Sequence, residues 1–489
     1  MRGNSERRTG RERSGGHKAK WLLVVSTIGC HACSSAESPA SVELDASDDG
    51  AADVTAEVTG DAPLDTAVDG PTETAVDAPG GCGAISSWAD TAVFKRDLHV
   101  KAGAAAGGDG SSEKPFATIA AGLATAKPGD RVVVHAGTYA GGIYADKLQG
   151  TASEPIALVG APSEARPQIV GADEGLHLTD PTWVLLQDLE IRGQTSNAMN
   201  VDDGGSYATP AHHVVFRRLF LHDVATGNHD GLKLSGVDDA LVVDSTFQKI
   251  GGQMIDMVGC HRVTVARSTF RDGESVGVQM KGGSADDVVT QSLFVNAGPR
   301  GVNLGGSTDL PYFRPSDAPH EAARIVVTAN VVVGGDAPVA FVGCDACAVS
   351  NNTLLRPTKW AARILQETVA TRFVPCRKGR FTNNLVVVGP GISGETVNVG
   401  PDTDAGSFTF ANNLWFHTGN PSFAPTLPVT ESGGIRGKDP LLVDATKPDA
   451  HLGAASPAIG KGLAPTTLPA DFEGKCWKTP PSIGALEGP

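Results

Sequence analysis

From residue 214 onward, one pattern of apolar and polar positions keeps returning. It runs apolar, any, apolar, two polar, any, large apolar. It reads VVFRRLF (214–220), LVVDSTF (241–247), VTVARSTF (263–270), VVTQSLF (288–294), VVTANVV (326–332), VSNNTL (349–354), FTNNLV (381–386) and FTFANNLW (408–415). The anchors are Phe220, Phe247, Phe270, Phe294, Val332, Leu354, Val386 and Trp415, at intervals of 27, 23, 24, 38, 22, 32 and 29 residues. Short apolar-polar alternation marks a strand with one buried face, and a repeat of this length marks stacked copies of one small unit. The spacing predicts an all-β chain folded as a parallel β-helix, each rung holding two or three strands and their turns. Two positions before each anchor stand Arg218, Ser245, Ser268, Ser292, Asn330, Asn352, Asn384 and Asn413. Small polar residues stacked at a turn form side-chain ladders between rungs, so these are read as structural.

A second set of strands precedes the anchor strands: DGLKLSG (230–236), QMIDMVG (253–259), VGVQMKG (276–282), RGVNLGG (300–306) and APVAFVG (337–343). Aligned on their apolar pairs, they point Leu232/Leu234, Ile255/Met257, Val278/Met280, Val302/Leu304 and Val339/Phe341 inward. Lys233, Asp256, Gln279, Asn303 and Ala340 then form one outward file, with Ser235, Val258, Lys281, Gly305 and Val342 beside it. Half of any one-sided sheet is polar, so a plain solvated face is the simplest account. Three features add to it. His229, Asp230, Glu274 and Arg300 gather at the strand entrances. Two insertions, 307–323 leaving the C-terminal side of these strands and 356–372 entering the N-terminal side, flank the face. They carry Tyr312, Phe313, Arg314, Trp360, Arg363 and Arg372. Rings stack on sugar faces and guanidinium groups pair carboxylates in a fork. The pattern predicts a groove for an extended, acidic polysaccharide, with Lys233, Asp256, Gln279, Asn303, Tyr312, Arg314 and Trp360 as its contacts.

Charge is unevenly spread over the 489 residues, whose formal net charge is −15. Residues 1–20 carry seven Lys/Arg and two Glu, giving +5, and residues 34–80 carry twelve Asp/Glu and no Lys/Arg, giving −12. The remainder is −15 − 5 + 12 = −8. An acidic body argues against nucleic acid as partner. The basic start and the short apolar run WLLVVSTIG (21–29) read as an export signal over residues 1–29. Cys30 follows Gly29 and resembles the lipid-attachment cysteine of bacterial lipoproteins. The expected protein is a cell-surface or outer-membrane lipoprotein touching the membrane only through Cys30, or a freely secreted one. It is expected to be a monomer. Residues 30–85, rich in Ala, Asp, Thr and Pro, cannot bury enough apolar surface to offset chain entropy and are expected to be a disordered tether.

With these motifs in place, residues 95–489 resemble the pectate-lyase-like class of right-handed parallel β-helices. GDGSSEKPFATIAAGLATAKPGDRVVVHAGTY (108–139) resembles that class's entry, a helix near 114–127 capping the open end and then a first strand. Ser111 or Ser112 is placed to cap this helix, and Pro128-Gly129-Asp130 to end it. The stretch 439–487 resembles the closing segment of secreted bacterial members, so the repeat body is set at 86–435 and its closure at 436–489. GESVGVQMKGGSADDVVTQSLFVNAGPRGVNLGGS (273–307) resembles the catalytic rungs of the chondroitinase-B/alginate lyase family. The resemblance implies Lys281 as base of a β-elimination, with a cation near the developing enolate, and calcium at Glu274. That family's second glutamate falls on Val276 and its arginine on Gly305, with Arg300 nearby. His229 is an alternative base, and Asp202, Asp203, Asp230 and Asp256 an alternative calcium set, of which Asp230 lies nearest the entrances. A non-catalytic glycan-binding or structural surface protein is the competing reading.

Eight cysteines suit an exported chain. Cys344 and Cys376 each stand seven residues before an Asn-Asn pair, in equivalent places on successive rungs. A Cys344–Cys376 disulfide is predicted, with Cys347 as competitor. CDAC (344–347) lacks the second pair that a zinc site needs. Cys260 reads as a buried free thiol, and a Cys82–Cys476 bond would need a tail to fold back.

Overall fold

The computed structural model describes residues 82–206, 210–392, 395–444, 447–464, 466 and 468–489. The expected signal segment, Cys30 and nearly all of the expected tether lie outside the described residues.

Strands recur in the same order on every rung and pair in parallel with the rungs above and below, closing three long sheets of thirteen, ten and twelve strands among the described residues. The chain is a right-handed parallel β-helix. Its interior is filled by the predicted inward pairs, and Leu232, Leu234, Ile255, Met257, Val278, Met280, Val302 and Leu304 are fully buried. Phe247, Phe270 and Phe294 stack inside, with ring centroids 5.0 and 4.5 Å apart. One residue slips from the expected register. Leu221, not Phe220, pairs with Phe247. Leu219 therefore holds the ladder position, and its N–H donates to Ser245 Oγ at 3.1 Å. Arg218 sits one place earlier in left-handed backbone (φ 49°) and forks onto Asp188 at 2.7 Å.

The ladder itself is unbroken. The backbone N–H of each member donates to the side chain of the next: Ser245 to Ser268, Ser268 to Ser292, Ser292 to Asn330, Asn330 to Asn352, Asn352 to Asn384 and Asn384 to Asn413. It ends on Glu431, which also accepts from Trp415 Nε1 at 3.0 Å. These groups lie in the core, where an unmet donor would cost about 1–3 kcal/mol, so the ladder fixes rung-to-rung register.

The capping helix is shorter than expected, Ile119–Thr125, and Thr118 rather than a serine caps it, accepting from Ala121 N–H at 3.2 Å. Ile119 and Leu123 close the first rung. Gly122 makes this seat possible: a Cβ there would lie 2.8 and 2.9 Å from Val132 and Val100 methyls.

Both ends of the described part of the chain fold back over the outside. Ile85, Trp88, Ala89 and Phe94 cover the thirteen-stranded sheet at Val133, Val159, Leu185, Val215 and Val243. Leu452, Ala458, Ile483, Ala485 and Leu486 cover the twelve-stranded sheet. The two arms are joined by a Cys82–Cys476 disulfide. Cys344 bonds to Cys347 rather than to Cys376, which is a buried free thiol like Cys260. The expected pair does face across adjacent rungs, since Asp345 bridges Arg377, but Cys347, three residues along the chain, takes the bond. Burial pushes the Cys376 thiol up to about 12.

Candidate functional site

The ten-stranded sheet leaves its outer face free of both arms. Its register reproduces the expected outward file and extends it: Tyr144, His177, Asn200, Lys233, Asp256, Gln279, Asn303, Ala340, Arg363 and Asn398 succeed one another across the rungs. Asp146, Thr179, Asp202, Ser235, Val258 and Lys281 run alongside.

In the middle of the face the charges are locked together. Lys233 Nζ lies 2.5 Å from Asp256 Oδ2 and 3.3 Å from Asp230 Oδ2. Lys281 Nζ is 3.5 Å from Asp256 Oδ1, an ion pair rather than an aligned hydrogen bond. Asp230 Oδ1 accepts from Gln253 N–H at 2.9 Å. Burial drives both carboxyls upward. At Asp230 it prevails, whereas the ammonium groups of Lys233 and Lys281 outweigh it and hold Asp256 below the usual carboxylate range. Two lysines share one buried carboxylate, and Lys281, the expected base, faces Asp256 from the neighbouring rung.

The C-terminal half of the face is roofed. Glu321, fully buried, accepts from Gly282 N–H (2.9 Å), Thr308 N–H (2.9 Å) and Thr308 Oγ1 (2.8 Å), and from Thr368 Oγ1. The chain at Gly306 passes so close to Gln279 that a Cβ would meet its amide at 2.6 Å. Asp256, Gln279 and Asn303 are consequently 1, 6 and 3% exposed, which removes all three as direct polymer contacts. Arg314 is removed too. It is 8% exposed, and its guanidinium is consumed by Asp238 Oδ1 (2.6 Å), Gly259 O (2.9 Å) and the His261 ring (3.0 Å).

The second insertion also differs from expectation. Its middle, Ala362–Leu365, is a strand of the sheet. Beyond Leu365 the chain leaves by the C-terminal side and meets the first insertion, with Phe373 5.1 Å from Phe313 and the Arg372 guanidinium 4.7 and 4.8 Å from those two rings. Only Tyr312, exposed, and Trp360, half-buried, remain at the surface from the expected aromatic rim. Arg363 stacks over Trp360 at 4.5 Å and donates to Asn398 at 2.9 Å, and Arg300 faces Glu367 at 3.4 Å. Burial, with a smaller push from the neighbouring Arg300, holds the Arg363 guanidinium below its ordinary value, against the opposing pull of Glu367 and Asp336. His229 is half-buried at a strand entrance. Glu274 is exposed while Asp230 is buried behind Lys233. Among the described residues no three carboxylate, imidazole or thiol groups are placed to hold a metal ion, so the four aspartates of the alternative calcium set do not converge.

The open part of the face is one that the sequence pattern did not single out. His177 lies between Glu174 (Nδ1 to Oε2, 2.8 Å) and Asp202 (Nε2 to Oδ2, 2.6 Å). The three side chains are 24, 26 and 23% exposed. Burial alone would lower the imidazole, but the two carboxylates outweigh it and raise it to about 9. Asn197 and Asn200 each donate to Glu174 Oε1 at 3.3 Å. Tyr144, 57% exposed, stands edge-on to His177 with centroids 5.3 Å apart. The signal was present: LHLT (176–179) and MNVD (199–202) repeat the apolar-polar rhythm of LKLS (232–235).

The chain is a right-handed parallel β-helix with one sheet face left open. No family model and no curated protein matches its sequence. Its backbone superposes on pectate lyase Pel9A with a TM-score of 0.52 at 16% identity, over 82% of this chain and 98% of that one. It superposes on XylC in complex with xylose with a TM-score of 0.52 at 11% identity, over 80% and 99%. At these identities the likeness is one of fold.

Proposed function

We propose that this is an exported, carbohydrate-active β-helix protein that takes an extended polysaccharide along the outer face of its ten-stranded sheet. One observation carries the reading: the file from Tyr144 through His177 to Lys233, with Asn200 buried between the last two, runs parallel to the solenoid axis on its uncovered side. Rungs repeat every ~4.8 Å, close to the rise of one pyranose ring along an extended glycan. Lys233, Lys281 and Arg300 supply cations for an acidic polymer, and calcium remains a proposed addition at Glu274 and Asp230. In a β-elimination, Lys233 and Lys281 would hold the charge that develops on the enolate. The pairing of both lysines with Asp256 supports a second reading, binding without cleavage, because no unpaired lysine is left there to take a proton.

The test is absorbance near 235 nm with the purified protein and calcium on alginate, polygalacturonate, chondroitin and heparin-like polymers. An absorbance rise that Lys281→Ala abolishes establishes elimination. No rise together with retained gel retardation establishes the binding protein. Neither signal on any polymer overturns both.

A further inference from the structure

The face is not uniform along its length, and the difference is one of charge. At its N-terminal end Glu174 and Asp202 share a single imidazolium, and Asp146 lies on the adjoining rung with Lys147 3.8 Å away. Two carboxylates to one imidazolium leave the cluster negative. The amides of Asn197 and Asn200 already point at Glu174, and Gly204 N–H donates to Asp202 Oδ1 at 2.9 Å; among the described residues His177 is the cation paired with these carboxylates. Above them the Tyr144 ring is open to solvent, one of few large apolar side chains so exposed among the described residues. Eight rungs further along the same file, past the roofed positions Gln279, Asn303 and Ala340, stands Arg363 with Trp360 beneath its guanidinium; there Arg300, Arg363 and Lys359 outnumber Glu367 and Asp336. Eight steps at about 4.8 Å separate the two ends by roughly 38 Å.

We infer, resting on the function proposed above, that the polymer is a mixed one: an uncharged, hydroxyl-rich sugar lies against Tyr144 and the Glu174–His177–Asp202 cluster, and acidic sugars lie towards Arg300 and Arg363. A ring and paired carboxylates suit a neutral sugar, which offers a C–H face for stacking and vicinal hydroxyls as donors. A homopolymer of uronic acid presents a carboxylate at every residue. Wherever it lies along this file, one of those groups meets Glu174 and Asp202 at close range in a partly desolvated setting. The N-terminal end thus selects against homouronans by repulsion, while the arginines retain acidic residues elsewhere.

The test compares binding of hyaluronan, an alternating glucuronate and N-acetylglucosamine polymer, with binding of polygalacturonate, using the full chain at fixed salt. The wild type is expected to hold hyaluronan at least about tenfold more tightly. Glu174→Gln with Asp202→Asn is expected to raise polygalacturonate affinity about tenfold and to leave hyaluronan within about threefold. Tyr144→Ala, at an exposed site that the fold does not need, is expected to weaken hyaluronan about tenfold and to spare polygalacturonate. Equal binding of the two polymers by the wild type, or a ratio that none of these variants moves, overturns the inference and leaves the proposed function standing. Failure of the wild type to bind either polymer overturns both.

Discussion

The two halves of one sheet face have been used differently. Towards the N-terminus, Tyr144, Glu174, His177 and Asp202 meet solvent with their polar groups arranged on successive rungs. Towards the C-terminus, Gln279, Asn303, Ala340 and Val342 occupy equivalent positions in the same files yet are buried beneath the insertion that Glu321 fastens. The backbone is the same in both halves. The turns between rungs carry different segments, and these decide whether an outward side chain is a surface or an interior.

The comparison breaks most severely at Asp256, which sits where the halves join. Asp256→Ala leaves the half-buried cations Lys233 and Lys281 without their shared partner, Lys233 keeping only Asp230, and is expected to cost about 3 kcal/mol in urea unfolding. An unchanged unfolding midpoint would show that the lysines find water instead. Glu321→Ala addresses the roof. It orphans donors at Gly282, Thr308 and Thr368, and should cost about 1–3 kcal/mol while opening residues 307–323 to limited proteolysis. If the segment stays protected, the packing of Phe313 on Phe373 holds the roof by itself. The smallest effect is a titration. The raised pKa of His177 means that the folded state binds its proton more tightly than the unfolded state, whose imidazole titrates near its ordinary value. The stability this contributes is complete below the ordinary histidine value, and is lost as pH rises from there through about 9. The imidazole resonances of His177 should show a midpoint near that upper value, and Asp202→Asn should move it down. A midpoint in the ordinary histidine range would show that the carboxylates do not clasp it.

Much of the fold was legible because a solenoid repeats its instructions. Recurring copies of one strand pattern set the register of Lys233, Asp256, Gln279 and Asn303 correctly, and the Ser/Asn ladder was evident from spacing alone. The Phe220 slip shows the limit of that method: two adjacent apolar residues, Phe220 and Leu221, both satisfy the pattern, and only packing chooses between them. The site was far less legible. Insertions have no period, so nothing in residues 307–323 announced that Arg314 would turn inward onto Asp238, or that Gly306 would cover Gln279. The cysteines show the same thing. Rung equivalence put Cys376 opposite Cys344, but it carried no information about which of two near neighbours would bond.

The Cys82–Cys476 bond has a mechanical consequence. A stack of rungs pulled from one end opens like a zipper, one rung at a time, since each unit is held only by its neighbours. Here a pull arriving at Cys82 passes through the disulfide into the closing arm, whose Asp471 carbonyl is gripped by Gln291 and whose Ala485 N–H is held by Thr353. The load therefore divides at Cys82: one branch enters the solenoid at the rungs of Gln291 and Thr353, and the other follows the backbone through the arm at Ile85, Trp88 and Phe94.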